Sequence, residues 1–222
     1  MNRKLIDFGL PFALLLLATA IIAAIGADLR ASAWFYRPEG WPVGNQVPWR
    51  QLYLWGVYPA DIIGVAALGL VLASYFKPAL VRFRRQSAFV VLLLLLGPGL
   101  LVNAVFKDHW GRPRPRQIVQ FGGTMQFHQP WERGDAGKGK SFPSGHGAAG
   151  FFLAMPAFAL RRRRPRAAAL VFGAGMLYGV LMGVARISQG GHFVSDILWA
   201  WGVVHLTAVA LYYLLGLDKE DA

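Results

Sequence analysis

Six mostly apolar segments follow one another along the chain, separated by polar or basic stretches. Each is about 20 residues long, which is the length that an α-helix needs to cross the hydrocarbon core of a bilayer. Asp61 and Asp196 are the only charged residues within them. The pattern therefore predicts an all-α polytopic membrane protein, a bundle of six transmembrane helices in a single domain over residues 1–222, with spans at about 8–27, 52–76, 87–106, 141–160, 167–185 and 193–217.

Local features affect the ends of these spans. Pro156 and the Gly-Pro-Gly triplet at 97–99 are expected to kink their helices rather than end them, because neighbouring helices in a bilayer can satisfy the freed backbone groups. The first segment follows Arg3 and Lys4 and also resembles a signal peptide. Hydrophobic cores of signal peptides are usually shorter, at about 7–15 residues, so we expect a retained helix.

Composition agrees with a membrane protein. Charged residues make up 15% of the 222 residues and hydrophobic residues 55%, whereas a soluble domain carries about 25% charged residues. The formal net charge of +12 indicates loops that face anionic lipid, and an anionic substrate, rather than nucleic acid. The chain has no cysteine, which excludes disulfides, thiolate catalysis and cysteine-based metal sites.

Basic residues indicate the orientation, because Lys and Arg concentrate in cytoplasmic loops. Residues 161–164 are four consecutive arginines, which are difficult to translocate. Placing this run inside predicts that both termini are cytoplasmic and that the long loop 107–140 is outside. The long loop is also basic, but its cations are candidates for substrate binding.

Most of the polar chemistry lies in three short stretches, at 107–115, 141–147 and 185–196. The first two belong to the loop between spans 3 and 4, and the third belongs to the loop between spans 5 and 6. Loops that follow odd-numbered spans emerge on the same membrane face. The three stretches can therefore form one composite site.

The residue types in these stretches suit a phosphate group. Lys107, Arg114 and Arg186 supply three cations from two loops, which fits a phosphate dianion better than a carboxylate. Ser144 and Gly145 begin a helix, whose first N–H groups and positive dipole end bind anions. The sequence therefore predicts a phosphate-binding site that contains these five residues.

Two histidines and one aspartate supply candidate catalytic groups. His192 and Asp196 are four residues apart at the start of a helix, so they share a face and the carboxylate can orient the imidazole. The other ring nitrogen of His192 is then a nucleophile or a base. His146 can act as general acid for the leaving oxygen. The nearby cations would oppose a dication, so we expect no metal and no cofactor.

The three stretches together resemble the tripartite signature of the type 2 phosphatidic acid phosphatase family. The matching elements are Lys107-x6-Arg114-Pro115, Pro143-Ser144-Gly145-His146 and Arg186-x5-His192-x3-Asp196. The resemblance implies a six-helix core and metal-independent hydrolysis through a phosphohistidine. By position it implies that His192 is the nucleophile, Asp196 its orienting carboxylate and His146 the acid–base, with Lys107, Arg114, Ser144, Gly145 and Arg186 as phosphate ligands.

One position departs from the family pattern. The third motif normally begins Ser-Arg, whereas Ala185 precedes Arg186 here, so a hydroxyl contact to phosphate is missing and Ser188 is not an assured replacement. A second Arg-Pro pair, at Arg112, competes with the pair at Arg114. The six-residue spacing favours Arg114 and leaves Arg112 as a secondary ligand.

Residues outside the motifs receive structural interpretations. Asp61 is an ionisable residue within a span, for which we expect a salt bridge to a loop arginine. His205 is expected to be a packing histidine with satisfied nitrogens, and the arginines at 161–164 to contact lipid headgroups. Aromatic residues of the first loop are expected to form an interfacial belt, namely Trp34, Phe35, Tyr36, Trp41, Trp49 and Tyr53.

The predicted function is an integral membrane lipid-phosphate phosphatase in the bacterial inner membrane, with its site facing the periplasm. Candidate substrates are lipid A phosphate, undecaprenyl diphosphate, phosphatidylglycerol phosphate and phosphatidic acid, and residues 112–123 resemble the lipid A phosphatases of the family. A phosphotransferase that passes the phosphoryl group to a lipid or sugar hydroxyl is an alternative. A non-enzymatic lipid or anion transporter is disfavoured, because the polar residues cluster at one face rather than at the bilayer midplane.

Overall fold

Apolar helices build the architecture. The computed structural model describes residues 3–219 and contains no β-strand within that range. Its α-helices are α1 (Arg3–Ala24), α2 (Ala27–Phe35), α3 (Trp49–Trp55), α4 (Tyr58–Ala73), α5 (Arg84–Leu94), α6 (Lys107–Trp110), α7 (Gly145–Phe152), α8 (Ala157–Leu160), α9 (Pro165–Ser188) and α10 (Val194–Leu214).

Six apolar helical segments run through residues 3–219, and five of them are long and apolar enough to cross a membrane. The remaining segment, Gly145–Leu160, is the fourth in chain order and is shorter. The all-α membrane bundle predicted from hydropathy is therefore confirmed. The five long segments are Arg3–Ala24, Trp49–Ala73, Pro78–Gln117, Pro165–Ser188 and Val194–Leu214.

The short segment begins at Gly145 rather than at the predicted Ser141, for a local reason. Ser144 has an extended backbone, and its Oγ accepts a hydrogen bond from the N–H of Gly147 at 3.1 Å. Ser144 is thus the N-cap of α7, and residues 141–143 remain in the loop. Pro156 lies between α7 and α8, where its missing N–H interrupts the helical hydrogen bonds.

A π-helical stretch, Leu95–Phe106, continues α5 and leads into α6. The Gly-Pro-Gly triplet at 97–99 lies inside it, and the helix widens there instead of ending, because Pro98 has no N–H to donate. The side-chain amide of Asn103 donates to the carbonyl oxygen of Pro98 at 2.8 Å, which satisfies an acceptor of the widened turn. The stretch ends directly before Lys107.

Small residues let the helices around the motifs approach closely. Helix α7 packs against both α9 and α10. On α9, a Cβ added at Gly175 would collide with the backbone of Ala154, and one at Gly179 would collide with the ring of Phe151. These glycines allow α9, which carries Arg186, to pack closely against α7 and the turn that follows it.

Helix α1 packs against α10 and is tied to the bundle at its N-terminal end. Leu15 is buried against Gly202 of α10, and Asp7 forms an ion pair with Arg161 at 2.7 Å. Arg161 therefore has a role within the bundle in addition to the expected lipid contact. His205 is buried among aromatic rings, but its Nδ1 has no hydrogen-bond partner in the described part of the chain, contrary to expectation.

The loops at the opposite end of the bundle pack over one another. Tyr36 and Trp41 of the first loop contact the ring of Phe121 in the long loop, with centroids 5.3 and 5.5 Å apart. Phe121 and Phe193 belong to the buried cluster beneath them. Tyr36 and Trp41 are therefore part of a packed loop cluster rather than of the expected interfacial belt, whereas Trp34 is 78% exposed.

Candidate active site

Hydrogen bonds join the three polar stretches into one site. Nδ1 of His192 lies 2.6 Å from the carbonyl oxygen of Ser141. The backbone N–H of Ser144 donates to the carbonyl oxygen of Asp196 at 3.2 Å, and that of Ser141 donates to the carbonyl oxygen of Arg112 at 3.0 Å. The composite site predicted from loop parity is thus brought together at one end of the bundle.

The imidazole of His192 is buried and held in one orientation. A carbonyl oxygen can only accept a hydrogen bond, so the short contact with Ser141 assigns the proton to Nδ1 and leaves a lone pair on Nε2. Oδ2 of Asp196 is farther from Nδ1, at 3.6 Å. Burial lowers the pKa of His192 to about 3, so the ring is neutral at neutral pH.

Asp196 is fully buried and accepts hydrogen bonds from three donors. Its Oδ1 accepts from Nη1 of Arg112 at 2.5 Å. Its Oδ2 accepts from the hydroxyl of Ser141 at 2.5 Å and from the N–H of Phe193 at 2.8 Å. The carboxylate therefore holds the residue that binds the His192 proton and also the residue that follows His192. Its orienting effect reaches the imidazole mainly through these two neighbours.

Lys107, Arg114 and Arg186 bring positive charge to the same end of the bundle. A Cβ added at Gly145 would lie 2.5 Å from Nζ of Lys107, and one added at Gly191 would lie 2.5 Å from Nη2 of Arg186. Glycine at these two positions therefore leaves room for the cations. The buried Nε atoms of Arg114 and Arg186 have no hydrogen-bond partner within residues 3–219. Unpaired donors of this kind suit an anionic ligand.

The first turn of α7 adds donors beside Lys107. Ser144 acts as the N-cap, and its hydroxyl accepts from Gly147 while keeping a proton that it can donate. The N–H groups at the start of a helix have no partner within the helix. Together with the positive end of the helix dipole, they favour a phosphate group at Gly145.

Tyr53 of α3 is a site residue that lies outside the three motifs. Its ring stacks on the imidazole of His146 with centroids 5.1 Å apart, and its carbonyl oxygen lies 3.3 Å from Nε2 of that histidine. Cζ of Arg186 lies 4.6 Å from the centroid of the same ring. Tyr53 therefore supports both an imidazole and a guanidinium of the site. The sequence did not distinguish it, because an aromatic residue at the end of a span is typical of an interfacial belt.

A cavity of about 440 Å³ opens beside α7, between α4 and the π-helical stretch. Lys107 and His146 contribute polar atoms to its lining, and Leu94 and Leu95 contribute apolar ones. Asp61 also lines the cavity, and it forms no ion pair within residues 3–219, so the expected salt bridge to a loop arginine is not found. A cavity with both polar and apolar lining fits an amphiphile with a phosphate headgroup.

Ser188 and Arg112 both use their polar atoms within the protein, so the expectation that Arg112 is a secondary phosphate ligand is wrong. The hydroxyl of Ser188 donates to the carbonyl oxygen of Ala185 at 2.9 Å, so it does not replace the hydroxyl that Ala185 lacks. Arg112 is fully buried and pairs with Asp28 at 2.8 Å and with Asp196 at 2.5 Å. It is therefore part of an internal ion-pair network and not a secondary phosphate ligand.

The eight predicted site residues can bind an anion and present a nucleophile to it. Among residues 3–219, no group of three or more His, Asp or Glu side chains is arranged to hold a metal ion. The sequence profile of the PAP2 superfamily matches residues 86–219, a range that includes all eight site residues and more than half of the chain. The chain belongs to the PAP2 superfamily. This membership confirms the family predicted from the three motifs.

Two relatives and one solved structure are similar to this chain. The lipid A 4'-phosphatase of Francisella tularensis subsp. novicida is 38% identical over 167 residues, which cover 74% of this chain and 72% of that protein. The lipid A 4'-phosphatase of Rhizobium leguminosarum is 38% identical over 121 residues, 53% of this chain and 50% of that protein. The solved structure is a crystal structure of a PAP2-type phosphatidylglycerolphosphate phosphatase from Bacillus subtilis. Its superposition on this chain covers 96% of each of the two chains, with 20% sequence identity and a TM-score of 0.49.

Proposed function

We propose that this protein hydrolyses a phosphate ester of lipid A, or of a lipid with the same headgroup chemistry, through a phosphohistidine formed on His192. The observation that carries the proposal is the neutral imidazole of His192, whose Nδ1 is fixed on Ser141 and whose Nε2 keeps a lone pair, in the end of the bundle that holds three cations. The 38% identical relatives that are named lipid A 4'-phosphatase support the substrate class.

The first chemical step forms the phosphohistidine. Nε2 of His192 attacks the phosphorus atom, and the bond between phosphorus and the ester oxygen breaks. His146 donates a proton to the leaving oxygen, so that the lipid departs as an alcohol. Lys107, Arg114 and Arg186 stabilise the negative charge on the phosphoryl oxygens during the transfer.

The second step releases phosphate. His146, now neutral, accepts a proton from a water molecule whose oxygen attacks the phosphorus atom. The bond between phosphorus and Nε2 breaks, inorganic phosphate leaves, and His192 regains its lone pair. His146 is protonated again and is ready for the next cycle.

The proposal places the site at the periplasmic face of a bacterial inner membrane. Arg164 directly precedes α9, and Arg186 lies in its last turn, so the arginine run and the site are at opposite ends of one membrane-spanning helix. Because basic runs stay in the cytoplasm, the site faces the other side.

A substrate panel tests the proposed function. Protein purified in detergent is incubated with lipid A, undecaprenyl diphosphate, phosphatidylglycerol phosphate or phosphatidic acid, and both phosphate release and the mass of the lipid product are measured. We expect the highest kcat/KM with lipid A, a product lighter by one phosphate group, and no turnover by His192→Ala. A higher kcat/KM with another lipid would identify that lipid as the substrate instead. Transfer of phosphate to an added alcohol would show that the protein is a phosphotransferase. Turnover by His192→Ala would overturn the mechanism.

A further inference from the structure

A buried network of charges extends from the site into the N-terminal part of the protein. Asp28 lies on α2 and is 3% exposed. Its carboxylate accepts from Nη2 of Arg112 at 2.8 Å, and from the hydroxyl and the N–H of Ser195 at 2.6 and 2.9 Å. Nη1 of Arg112 donates in turn to Asp196 at 2.5 Å. The network therefore ends at the carboxylate that holds both neighbours of His192.

The guanidinium of Arg112 is held on all sides. Its Nε donates to the carbonyl oxygen of His128 at 2.9 Å, and its Nη1 also donates to the hydroxyl of Ser195 at 2.8 Å. Its Cζ lies 4.6 Å from the centroid of the Phe193 ring, and Phe193 directly follows His192. A fully buried arginine in these contacts has little freedom to turn towards a phosphate group.

We propose that Asp28 and Arg112 are positioning residues, which set the place of Asp196 and through it the orientation of His192. This inference rests on the proposed role of His192 as nucleophile. Without Arg112, the buried carboxylate of Asp196 would lose its counter-charge; without Asp28, the guanidinium of Arg112 would lose one of the two carboxylates that fix it. The pair thus holds the orienting carboxylate in place.

Asp28 belongs to the N-terminal part of the chain, on helix α2. The family profile covers residues 86–219, and Asp28 lies outside that range. Through its ion pair with Arg112, Asp28 links helix α2 to the carboxylate of Asp196.

The test is the substitution Asp28→Asn, which removes the charge and keeps the size of the side chain. Arg112→Ala is unsuitable, because it would leave two buried carboxylates without a counter-charge. We expect kcat for Asp28→Asn to fall about 10-fold to 100-fold, the range measured for residues that orient metal ligands through a hydrogen bond. KM and inhibition by inorganic phosphate should be unchanged, because the phosphate ligands do not contact Asp28. Orthovanadate, which mimics the transition state, should inhibit less strongly by about the same factor as kcat falls.

Asp7→Asn is a matched control. It also removes an aspartate that pairs with an arginine, but Asp7 lies near the N-terminus of α1, far along the chain from Asp28. It should lower the thermal midpoint and leave kcat unchanged. In a background of Asp196→Asn, the Asp28→Asn substitution should cause no further loss, since both act on the same step. Additive losses, or equal weakening of phosphate and vanadate inhibition, would overturn the inference.

The outcome is separable from that of the proposed function. Turnover by His192→Ala contradicts the proposed function, whereas unchanged kcat for a folded Asp28→Asn protein contradicts the positioning role alone. If Asp28→Asn does not fold, Ser195→Ala replaces it, because the Ser195 hydroxyl bridges Asp28 and Arg112. A several-fold lower kcat is then expected, and an unchanged kcat would refute the inference.

Discussion

The state of His192 depends on where its side chain is buried. Its Nδ1 faces the carbonyl oxygen of Ser141, and burial near cations keeps the ring unprotonated. Both effects favour the neutral tautomer with a free Nε2, which is the form that can attack phosphorus. The same burial means that His192 lowers the stability of the folded protein in acid, because the folded protein disfavours the protonated imidazole.

The stability of the protein should therefore fall below pH 6.5. The pKa of His192 is about 3 in the folded protein and 6.5 for an unperturbed histidine, so the unfolded chain binds a proton that the folded protein excludes. The contribution of neutral His192 is fully present above pH 6.5 and is lost at about 1.4 kcal/mol per pH unit below it. Thermal midpoints in detergent between pH 4.5 and 7.5 should decline less steeply for His192→Gln. Parallel declines would show that His192 is not the cause.

The two histidines should respond differently to the leaving group. His192→Ala removes the atom that bonds to phosphorus, so no leaving group can restore turnover. His146→Ala removes the proton donor, which is worth about 10²–10⁴-fold for an alkyl lipid phosphate. An aryl phosphate needs less help, so His146→Ala should give a burst of phenol and accumulate phosphohistidine.

Burst kinetics with aryl and alkyl phosphates measure this difference. Wild-type protein at the same concentration provides the control amplitude. A burst from His192→Ala, or equal losses with both leaving groups for His146→Ala, would reverse the assignment of roles.

Among the helices, close approach between α7 and α9 determines where Arg186 lies relative to the N-terminus of α7. The glycines on α9 make this approach possible, since a Cβ at Gly175 or Gly179 would collide with the neighbouring segment. Hydropathy alone predicts both helices but not the distance between them. Packing density at this interface is therefore a property of particular positions and not of apolar composition.

Gly175→Ala should destabilise the protein, while Gly173→Ala two residues away should not. A Cβ at Gly175 meets the backbone of Leu153 and Ala154, which cannot move aside as a side chain would, and overpacking of this kind costs about 1–3 kcal/mol. A Cβ at Gly173 meets nothing within 4 Å. Alanine there should be neutral or stabilising by up to about 1 kcal/mol, because it is the better helix former. Equal thermal midpoints for the two variants would contradict the close packing.

At the scale of the whole molecule, basic residues lie at both ends of the bundle, but in different settings. Lys107, Arg114 and Arg186 lie at the end that holds the site, and the arginines at 161–164 lie at the other. The two ends of the bundle therefore differ: one holds the candidate site residues and the other holds the arginine run, which predicts a single orientation in the membrane.

The orientation can be tested with single cysteines, because the chain has none of its own. Trp131 is 56% exposed in the long loop, and Arg164 is exposed between α8 and α9. In intact cells, Trp131→Cys should react with a membrane-impermeant thiol reagent and Arg164→Cys should not. Both variants should react after the membrane is permeabilised, which controls for access. The reverse pattern in intact cells would place the site in the cytoplasm.

The sequence by itself determined the features that act over short distances along the chain. A membrane span needs about 20 apolar residues, so the six apolar segments were visible as hydropathy, although Gly145–Leu160 is shorter than predicted. The candidate site residues were visible for a similar reason, since phosphate binding needs cations, a helix N-terminus and histidines at set spacings. Even the start of α7 has a local cause, in the N-cap at Ser144.

Tertiary structure alone decided which polar groups became partners. Arg112 and Arg114 are alike in sequence, each followed by proline, yet Arg112 is buried against Asp28, 84 residues away, and Arg114 belongs to the site. Tyr53 became a support for Arg186 because α3 packs beside α9, and its ring also stacks on His146 of α7. The physical reason is that desolvation makes each buried charge depend on a specific counter-charge, and the identity of that counter-charge is set by the packing of helices that are distant in the chain.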